Sequence, residues 1–339
     1  MWTIRTTALV MVGLLLTHCS GDDEVTNSPS VDEPDTMGFV VSVRAPLPTT
    51  RQEIYPTNLG DEIILVGGID MYQSCSDRVE VYNPATNNWR RVADLPYRRH
   101  HIPLASVGNK VYATGGYTII DGHWRTRGTV FEYDNDRNAW AIKSPMMTPR
   151  SEHVAAAYQG KIYTIGGREL PTPAATASGH NEVYDPATDT WTAKSPLPTR
   201  RWHAAVAVLD SLIYVIGGRY FDGLSIVNRS ANEAYSPQGN TWYELANLPM
   251  ASSGLSAAAL NGKIYVFGGE YFENDGGMYN HVWEYDPATD RWDLFDNMRT
   301  PRHGTDAVTV ANSIYVIGGA DSHQFGAVNV NERYSMPEQ

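Results

Sequence analysis

The sequence predicts an all-β fold, a six-bladed β-propeller with four antiparallel strands in each blade. Three observations lead to this fold: evenly spaced Gly-Gly pairs, an apolar run before each pair, and a tyrosine and tryptophan after it. The pairs begin 48, 51, 51, 51 and 50 residues apart, at Gly67, Gly115, Gly166, Gly217, Gly268 and Gly318. A period near 50 residues with glycines at a strand end indicates a small sheet repeated around an axis.

Each repeat contains the elements of one four-stranded sheet. The runs that end at the glycines, such as KIYTIGG and KIYVFGG, are β-branched and aromatic, which favours strands buried on both faces. Upstream stretches of small residues, such as HVAAAYQG, suit the crowded inner strand of a radial array. Asn-Pro or Asp-Pro segments are turn signals and predict hairpins between two outer strands.

Aromatic residues flank these predicted hairpins at fixed positions. We expect them to pack between adjacent sheets, where their polar atoms would find partners. The tyrosines are Tyr82, Tyr133, Tyr184, Tyr235, Tyr285 and Tyr334. The tryptophans, each seven residues later, are Trp89, Trp140, Trp191, Trp242 and Trp292.

This pattern of glycine pair, tyrosine and tryptophan resembles the Kelch repeat over essentially everything after residue 38. The resemblance implies a Kelch-type propeller. The last repeat ends at Tyr334 without a tryptophan strand, while GFVVSVRAPLP around Val41 aligns with TWTAKSPLP before Arg201. We therefore expect the N-terminal strand to complete the sixth blade and close the ring.

The N-terminal residues predict export. Residues 1–19 resemble a lipoprotein-type signal peptide, whose apolar part is too short to span a bilayer. Leu16-Thr17-His18-Cys19 resembles a bacterial lipobox, although His18 stands where a small residue is usual. The resemblance implies lipidation of Cys19 and a lipoprotein in the periplasm, in the outer membrane or at the cell surface.

Two further segments complete the predicted organisation. Residues 20–38, rich in Pro, Ser and Asp, are predicted to be a disordered tether, and residues 39–339 to be the propeller. Cys75 is then expected to be a free loop thiol, because no second cysteine remains for an intramolecular disulfide. The sequence leaves the oligomeric state open.

Charge and motifs exclude several function classes. The net charge of −12 argues against nucleic acid and anionic membrane surfaces as electrostatic partners. The sequence has no phosphate-binding loop, no nucleotide fingerprint and no Ser-His-Asp order, and we predict no cofactor. A ligand is expected on the face where the loops entering each inner strand meet those leaving each glycine pair.

Arginines recur at one register of the entering loops, with Ser252 in the fifth repeat. They are Arg51, Arg99, Arg150, Arg201 and Arg302. Two interpretations are open. The arginines form structural contacts or ion pairs between repeats, or Arg99, Arg150 and Arg201 bind ligand.

The residues directly after the glycine pairs differ between repeats. Arg168 and Arg219 fall on adjacent blades, and a pair of guanidinium groups suits a carboxylate. Glu270 follows on the next blade and, with Glu152, is a candidate catalytic acid or base. The alternative is that these are solvated loop charges that pair with one another.

Aromatic side chains in the leaving loops suit stacking on a sugar or anchoring of a peptide, or they pack the loops down. These candidates are Tyr117, Trp124, Tyr220, Phe221, Tyr271 and Phe272.

Histidines near equivalent positions in four repeats raise a metal hypothesis, with copper, zinc or iron as the ion. They are His101, His153, His203 and His303. None forms a local ligand pair, so hydrogen bonds to neighbouring blades are favoured and no metal is predicted.

Three functions agree with these residues. The favoured one is an exported binding module for a protein or glycan, without chemistry. The second is an enzyme acting on acidic sugars, similar to the Kelch-like sialic acid mutarotase of bacteria, although the long inter-blade insertion of that enzyme is absent. The third is a metal oxidase similar to galactose oxidase, although no cysteine-linked tyrosine is recognisable.

Overall fold

The structure, a computed structural model, describes residues 38–170, 176–273 and 275–337. Two compact units divide the chain, Met1–Asp35 and Thr36–Gln339. The predicted signal peptide, Cys19 and nearly all of the predicted tether lie outside the described residues and stay predictions. Within the described part, no helix has the length and apolar character needed to cross a bilayer.

Strand β1 (Val40–Val43) comes first in the chain but belongs to the last blade. Blade 1 contains β2 (Thr57–Leu59), β3 (Glu62–Val66), β4 (Val79–Asn83) and β5 (Asn88–Arg91). Blade 2 contains β6 (Leu104–Val107), β7 (Lys110–Thr114), a separate hairpin of β8 (Tyr117–Ile120) and β9 (His123–Thr126), then β10 (Val130–Asp134) and β11 (Ala139–Lys143). Blade 3 contains β12 (Val154–Tyr158), β13 (Lys161–Ile165), β14 (Asn181–Asp185) and β15 (Thr190–Ala193).

The second half of the chain repeats this order. Blade 4 contains β16 (Ala205–Leu209), β17 (Leu212–Ile216), the hairpin β18 (Arg219–Phe221) and β19 (Ile226–Asn228), then β20 (Asn232–Ser236) and β21 (Thr241–Leu245). Blade 5 contains β22 (Ser256–Leu260), β23 (Lys263–Phe267), the hairpin β24 (Glu270–Tyr271) and β25 (Gly277–Met278), then β26 (His281–Asp286) and β27 (Arg291–Asn297). Blade 6 contains β28 (Ala307–Val310), β29 (Ser313–Ile317) and β30 (Asn331–Ser335).

The N-terminal strand closes the ring, as predicted. Strand β1 pairs antiparallel with β30, and Val41 lies opposite Tyr334. This is the register at which Trp89 lies opposite Tyr82 in blade 1. The inner strands β2, β6, β12, β16, β22 and β28 each contact the next and the last contacts the first, so they surround a central channel.

The tyrosines and tryptophans join neighbouring blades, which confirms their predicted role. In blade 1 the rings of Tyr82 and Trp89 lie 5.0 Å apart. Tyr82 Oη donates to Asn87 Oδ1 at 2.7 Å, and Trp89 Nε1 donates to the Ala45 carbonyl oxygen of the preceding segment at 2.9 Å. Both bonds recur around the ring, with tryptophan donors Trp140, Trp191, Trp242 and Trp292.

The glycine pairs are required where one blade meets the loop that enters the next. Gly166 and Gly167 have φ values of +70° and +90°. A Cβ atom on Gly166 would approach the Arg201 carbonyl oxygen to 2.7 Å. The Gly167 amide donates to that same oxygen at 2.9 Å. A side chain at Gly166 would therefore push away the chain entering blade 4, whereas one at Gly167 would lie 2.6 Å from the Ser151 carbonyl oxygen in the loop entering blade 3.

Buried ion pairs hold four of the entering loops to the third strand of their blades. We call these the wall pairs: Arg51–Glu80, Arg150–Glu182, Arg201–Glu233 and Arg302–Glu332. All four arginine side chains are fully buried, and the acid lies two residues before the repeated tyrosine. This geometry supports the ion-pair interpretation of the repeated arginines.

Blades 2 and 5 have no wall pair, because other residues occupy one or both of its positions. In blade 2 the position of the acid is occupied by Phe131, and the Arg99 guanidinium lies 5.6 Å from the centre of that ring. In blade 5 the arginine is replaced by Ser252 and the acid by Trp283. The arginine and its acid are therefore lost together in blade 5, as expected if each is needed to neutralise the other.

Candidate functional site

The entering and leaving loops lie side by side on one face of the ring, as predicted. In every blade, one residue of the entering loop pairs antiparallel with the residue that follows the glycine pair. These bridges are Gln52–Ile69, His100–Tyr117, Ser151–Arg168, Trp202–Arg219, Ser253–Glu270 and His303–Ala320. The repeats thus bring residues from distant parts of the sequence to one channel mouth.

Six residues at one register of the entering loops surround the channel axis. We call them the axial ring: Glu53, His101, Glu152, His203, Gly254 and Gly304. All six have positive φ, between 49° and 64°. Such a conformation is uncommon for residues other than glycine, and it persists only where the surrounding structure enforces it.

Backbone hydrogen bonds link the axial ring from blade to blade. The donor amides belong to Glu53, His101, His203, Gly254 and Gly304, and the distances to the preceding ring carbonyl lie between 2.6 and 3.1 Å. The ring backbone is therefore fixed, and its four side chains are directed by a rigid scaffold.

A cavity of about 200 Å³ opens above the axial ring, and we call it the mouth pocket. Its charged and titratable lining comes from Glu53, His101, Glu152, Arg168, Arg219, Glu270 and His303. Trp124, Ile226, Phe272 and Phe325 supply the apolar lining. The pocket therefore combines buried charge with aromatic faces.

The predicted group of Arg168, Arg219 and Glu270 converges in this pocket. Arg219 Nη1 lies 2.5 Å from Glu270 Oε1, and the Arg219 guanidinium stacks 5.0 Å from the Phe272 ring centre. Arg168 Nη1 lies 3.7 Å from a carboxylate oxygen of Glu152. The charges pair with one another, as the alternative interpretation expects, but they are buried in the pocket and not solvated.

The carboxyl groups of Glu53 and Glu270 have opposite pKa shifts. Burial, reinforced by the charge of Glu270, raises the pKa of Glu53 to about 8. Burial also acts to raise the pKa of Glu270, but the neighbouring His303 and Arg219 outweigh it and hold that pKa below its usual value. The two buried carboxyl groups therefore differ in acidity, and Glu53 is the weaker acid.

The histidines of the axial ring are held neutral. Burial lowers the pKa of His101 well below its ordinary value, and His100 and His203 add to the shift. Burial and the charge of Arg219 lower the pKa of His203 in the same way. Each imidazole therefore has a lone pair available at neutral pH.

Several buried polar atoms of the pocket lack a hydrogen-bond partner among the described residues. They are Glu152 Oε2, Arg219 Nε, Glu270 Oε2 and His303 Nδ1. Buried polar groups are normally satisfied, so unpartnered donors and acceptors in a cavity indicate a polar ligand or water.

The structure divides the aromatic candidates into two groups. Trp124 and Phe272 line the mouth pocket. Tyr117 is buried beneath Trp124, with ring centres 5.3 Å apart, and Tyr220 packs under the Arg229 guanidinium at 3.6 Å. The remaining candidates are half-buried: Phe221 in strand β18, and Tyr271 against Tyr279.

The candidate histidines and arginines also fall into groups with different surroundings. His101 and His203 share the axial ring, whereas His153 and His303 are one residue out of that register in opposite directions. His153 Nε2 bonds to Thr114 Oγ1 at 2.9 Å, between blades. Arg150 and Arg201 are held in the wall pairs, and Arg99 lies against Phe131. Their predicted role in ligand binding stays a prediction.

Two features of this face escaped the sequence interpretation. Glu53 was not among the candidates, although it lies two residues after Arg51, at the register of His101 and Glu152. Alignment on the repeated arginine displays that register directly. Cys75 is free as expected, but it is buried, and burial raises the pKa of its thiol to about 12.

Comparison with known proteins identifies the repeat. The family described as the KLHDC2/KLHL20/DRC7 Kelch-repeats domain matches residues 56–247 and 183–332, which together cover more than half of the chain. The chain belongs to the Kelch-repeat family. The predicted resemblance is thereby confirmed at the level of the repeat.

Kelch-repeat relatives match most of the chain at low identity. Kelch-like protein terF of Aspergillus terreus is 28% identical over 94% of this chain and 71% of its own length. Kelch-like protein 35 of Mus musculus is 27% identical over 78% of this chain, and beta-scruin of Limulus polyphemus 29% identical over 80%. The chain spans 43% and 31% of these two proteins.

A solved structure agrees with the fold. The structure of YjhT superposes with a TM-score of 0.76 and covers 86% of this chain and 96% of its own. The sequence identity is 17%, so the likeness concerns the architecture of the Kelch propeller alone.

Proposed function

We propose that this protein is an exported, membrane-tethered Kelch propeller that binds a glycan in the mouth pocket. The observation that carries the proposal is the set of buried donors and acceptors that have no hydrogen-bond partner within the described part of the chain, in a cavity lined by aromatic rings. Export and tethering rest on residues 1–19 and their lipobox-like end.

The chemistry of the pocket favours a sugar over a protein surface. Sugar hydroxyl groups both donate and accept, so one ring can satisfy Glu152, Arg219 and Glu270 together. Trp124 and Phe272 offer faces for the apolar side of a pyranose. The mouth pocket is a concave site that a single sugar unit can enter, whereas a folded partner would leave its buried polar atoms unreached.

The charges favour a sugar that carries a carboxylate. Arg168 and Arg219 lie on adjacent blades and line the pocket. Their acidic partners Glu152 and Glu270 remain available to accept from hydroxyl groups. Uronic acids and sialic acids combine both requirements.

A glycan array followed by calorimetry tests this proposal. We expect acidic glycans to bind, and Trp124→Ala to weaken the best ligand at least about tenfold through lost stacking and area. Tyr72→Ala is the matched control, because Tyr72 is 79% exposed and lies outside the pocket lining. Equal losses in both variants, or an array without any bound glycan, would overturn the proposal.

An enzyme acting on acidic sugars is the second candidate. The adjacency of carboxylates and guanidinium groups favours it, since Arg168 and Arg219 would hold the sugar acid while Glu152 or Glu270 transfers a proton. Proton NMR of anomer exchange in N-acetylneuraminic acid separates the two candidates. Exchange faster than in buffer, and slowed by Glu270→Gln, supports the enzyme; an unchanged exchange rate with tight binding supports the module.

A further inference from the structure

The axial ring brings two imidazoles and one carboxylate together at the base of the mouth pocket. His101 Nε2 lies 3.1 Å and His203 Nε2 lies 3.7 Å from Glu53 Oε2. Each residue offers one potential ligand atom, and these three atoms lie within 4.8 Å of one another. The three residues come from blades 1, 2 and 4 and are 4%, 3% and 5% exposed.

One of these separations matches the edge of a coordination polyhedron. Neighbouring nitrogen and oxygen ligands held at about 2.1 Å from one cation lie roughly 3.0–3.4 Å apart. The distance from His101 Nε2 to Glu53 Oε2 is 3.1 Å, whereas His203 Nε2, at 3.7 Å from the same oxygen, would have to move closer on binding. Two imidazoles and a carboxylate form a donor set that suits divalent first-row metals such as zinc, iron or cobalt.

We propose that Glu53, His101 and His203 bind one divalent transition-metal ion, with open coordination positions directed into the mouth pocket. The proposal is independent of the proposed glycan, because it concerns the cation alone.

The surroundings of the three residues provide the outer contacts that metal ligands require. His101 Nδ1 lies 2.6 Å from His100 Nδ1, a hydrogen bond that fixes the ring of His101 and leaves Nε2 towards the cluster. Tyr55 Oη donates to Glu53 Oε2 at 3.1 Å. Such outer partners orient ligands and increase their affinity for the metal.

His203 provides a second, independent observation. Both of its ring nitrogens are buried and lack a hydrogen-bond partner among the residues the structure describes. An imidazole with two unsatisfied nitrogens is costly in a buried place, and coordination would satisfy one of them.

Glycine completes the site on its open side. Gly254 and Gly304 occupy the last two positions of the axial ring and leave that side free of side chains. A Cβ atom on Gly304 would lie 2.7 Å from Glu53 Oε1, whereas one on Gly254 would lie 3.3 Å from the nearest atom, in His303. Gly304 therefore makes room for the carboxylate of Glu53.

Titration of the purified, chelator-treated full-length protein with Co²⁺ tests the proposal. We expect one equivalent to bind, with visible absorption bands that report nitrogen and oxygen ligands. Glu53→Gln and His203→Ala should each weaken binding by at least roughly 100-fold, since loss of an outer contact alone costs 10- to 100-fold. His303→Ala is the control, because this buried histidine lines the same pocket outside the cluster.

Two glycine variants separate a metal ligand from a general packing effect. Gly254 and Gly304 have nearly equal φ values, +62° and +64°, so alanine introduces similar backbone strain at both. We expect Gly304→Ala to weaken Co²⁺ binding roughly tenfold or more by displacing Glu53, and Gly254→Ala to change it less than about twofold.

Circular dichroism identifies any variant that fails to fold, and Glu53→Gln, the most conservative change, then decides. Less than about one tenth of an equivalent of Co²⁺ bound by the parent would overturn the proposal. So would folded Glu53→Gln and His203→Ala variants that bind Co²⁺ like the parent. Neither result depends on the glycan array, so failure of the metal site and failure of the proposed function are distinguishable.

Discussion

The wall pairs and the mouth pocket both bury arginines beside glutamates, but they differ in repetition and in partners. Arg150 and Glu182 face each other within one blade at 2.9 Å, and equivalent pairs occur in three other blades. Arg168 and Glu152 approach only to 3.7 Å, at registers whose residues change from blade to blade. The first arrangement is part of the repeat, whereas the second does not recur between the blades.

This difference separates scaffold from site. A buried charge without its partner is costly, so a charge that recurs with its partner at fixed registers is explained by the fold. Glu152 and Glu270 line one cavity at registers whose residues change from blade to blade, which the repeat does not explain. Residues that vary between blades while lining one cavity are therefore the better candidates for ligand contact.

The largest expected loss of stability comes from removing β1, the strand that closes the ring of blades. Deletion of residues 39–47 removes β1 together with the buried side chains of Phe39 and Leu47. We expect it to cost about 5–10 kcal/mol of unfolding free energy, from two large core side chains and a lost strand pairing. Thermal melting is the measurement, and an unchanged melting temperature would show that the ring does not depend on this closure.

Breaking one wall pair should have the next largest effect. Glu182→Gln leaves the fully buried Arg150 without a compensating charge. We expect a loss of about 3–5 kcal/mol in unfolding free energy, measured by urea denaturation. A loss below about 1 kcal/mol would contradict the structural role assigned to the repeated arginines.

Blade 2, which keeps the arginine but has no acid, tests whether the ion pair or the arginine alone stabilises a blade. Arg99 stacks on Phe131, and burial together with Arg127 lowers the pKa of Arg99 to about 10. Removing Arg99 leaves no buried carboxylate without a counter-charge. We therefore expect Arg99→Ala to lower the free energy of unfolding by only roughly 1–2 kcal/mol. A cost equal to that of Glu182→Gln, in the same urea experiment, would mean that the arginine and not the ion pair matters.

The smallest effect on stability is expected in the pocket. Glu152→Gln removes a buried charge that Arg168 approaches only to 3.7 Å, so it loses less attraction than the change at Glu182, which lies 2.9 Å from Arg150. We expect a change of at most about 2 kcal/mol in the free energy of unfolding. A larger loss would assign Glu152 to the scaffold.

The fold followed from the sequence because every element recurs. The glycine pairs, the tyrosines and the tryptophans define registers, and those registers predict that Val41 lies in the sixth blade. The wall pairs could also be predicted from the sequence, since in the four blades that have the acid it lies two residues before the tyrosine. Register alone, applied to both partners, predicts the loss of arginine and acid together in blade 5.

The site was predictable only in part. Arg168, Arg219 and Glu270 were selected because they vary after the glycine pairs, and they converge as expected. Glu53 was missed because it was not compared with His101 at the same register. The distances between blades were beyond sequence reasoning, because they depend on the positive φ of the axial ring and on which way each side chain turns.

We infer that the unrepeated residues of the mouth pocket bind ligand, while the repeated residues stabilise the fold. Calorimetric titration of the best acidic glycan into the parent, Glu152→Gln and Glu182→Gln tests it most directly, because both variants make the same chemical change at a buried glutamate. We expect Glu152→Gln to raise Kd at least about tenfold and Glu182→Gln to leave Kd within about twofold at a temperature where both are folded. Equal Kd values for the parent and Glu152→Gln, with weaker binding by Glu182→Gln, would contradict the account.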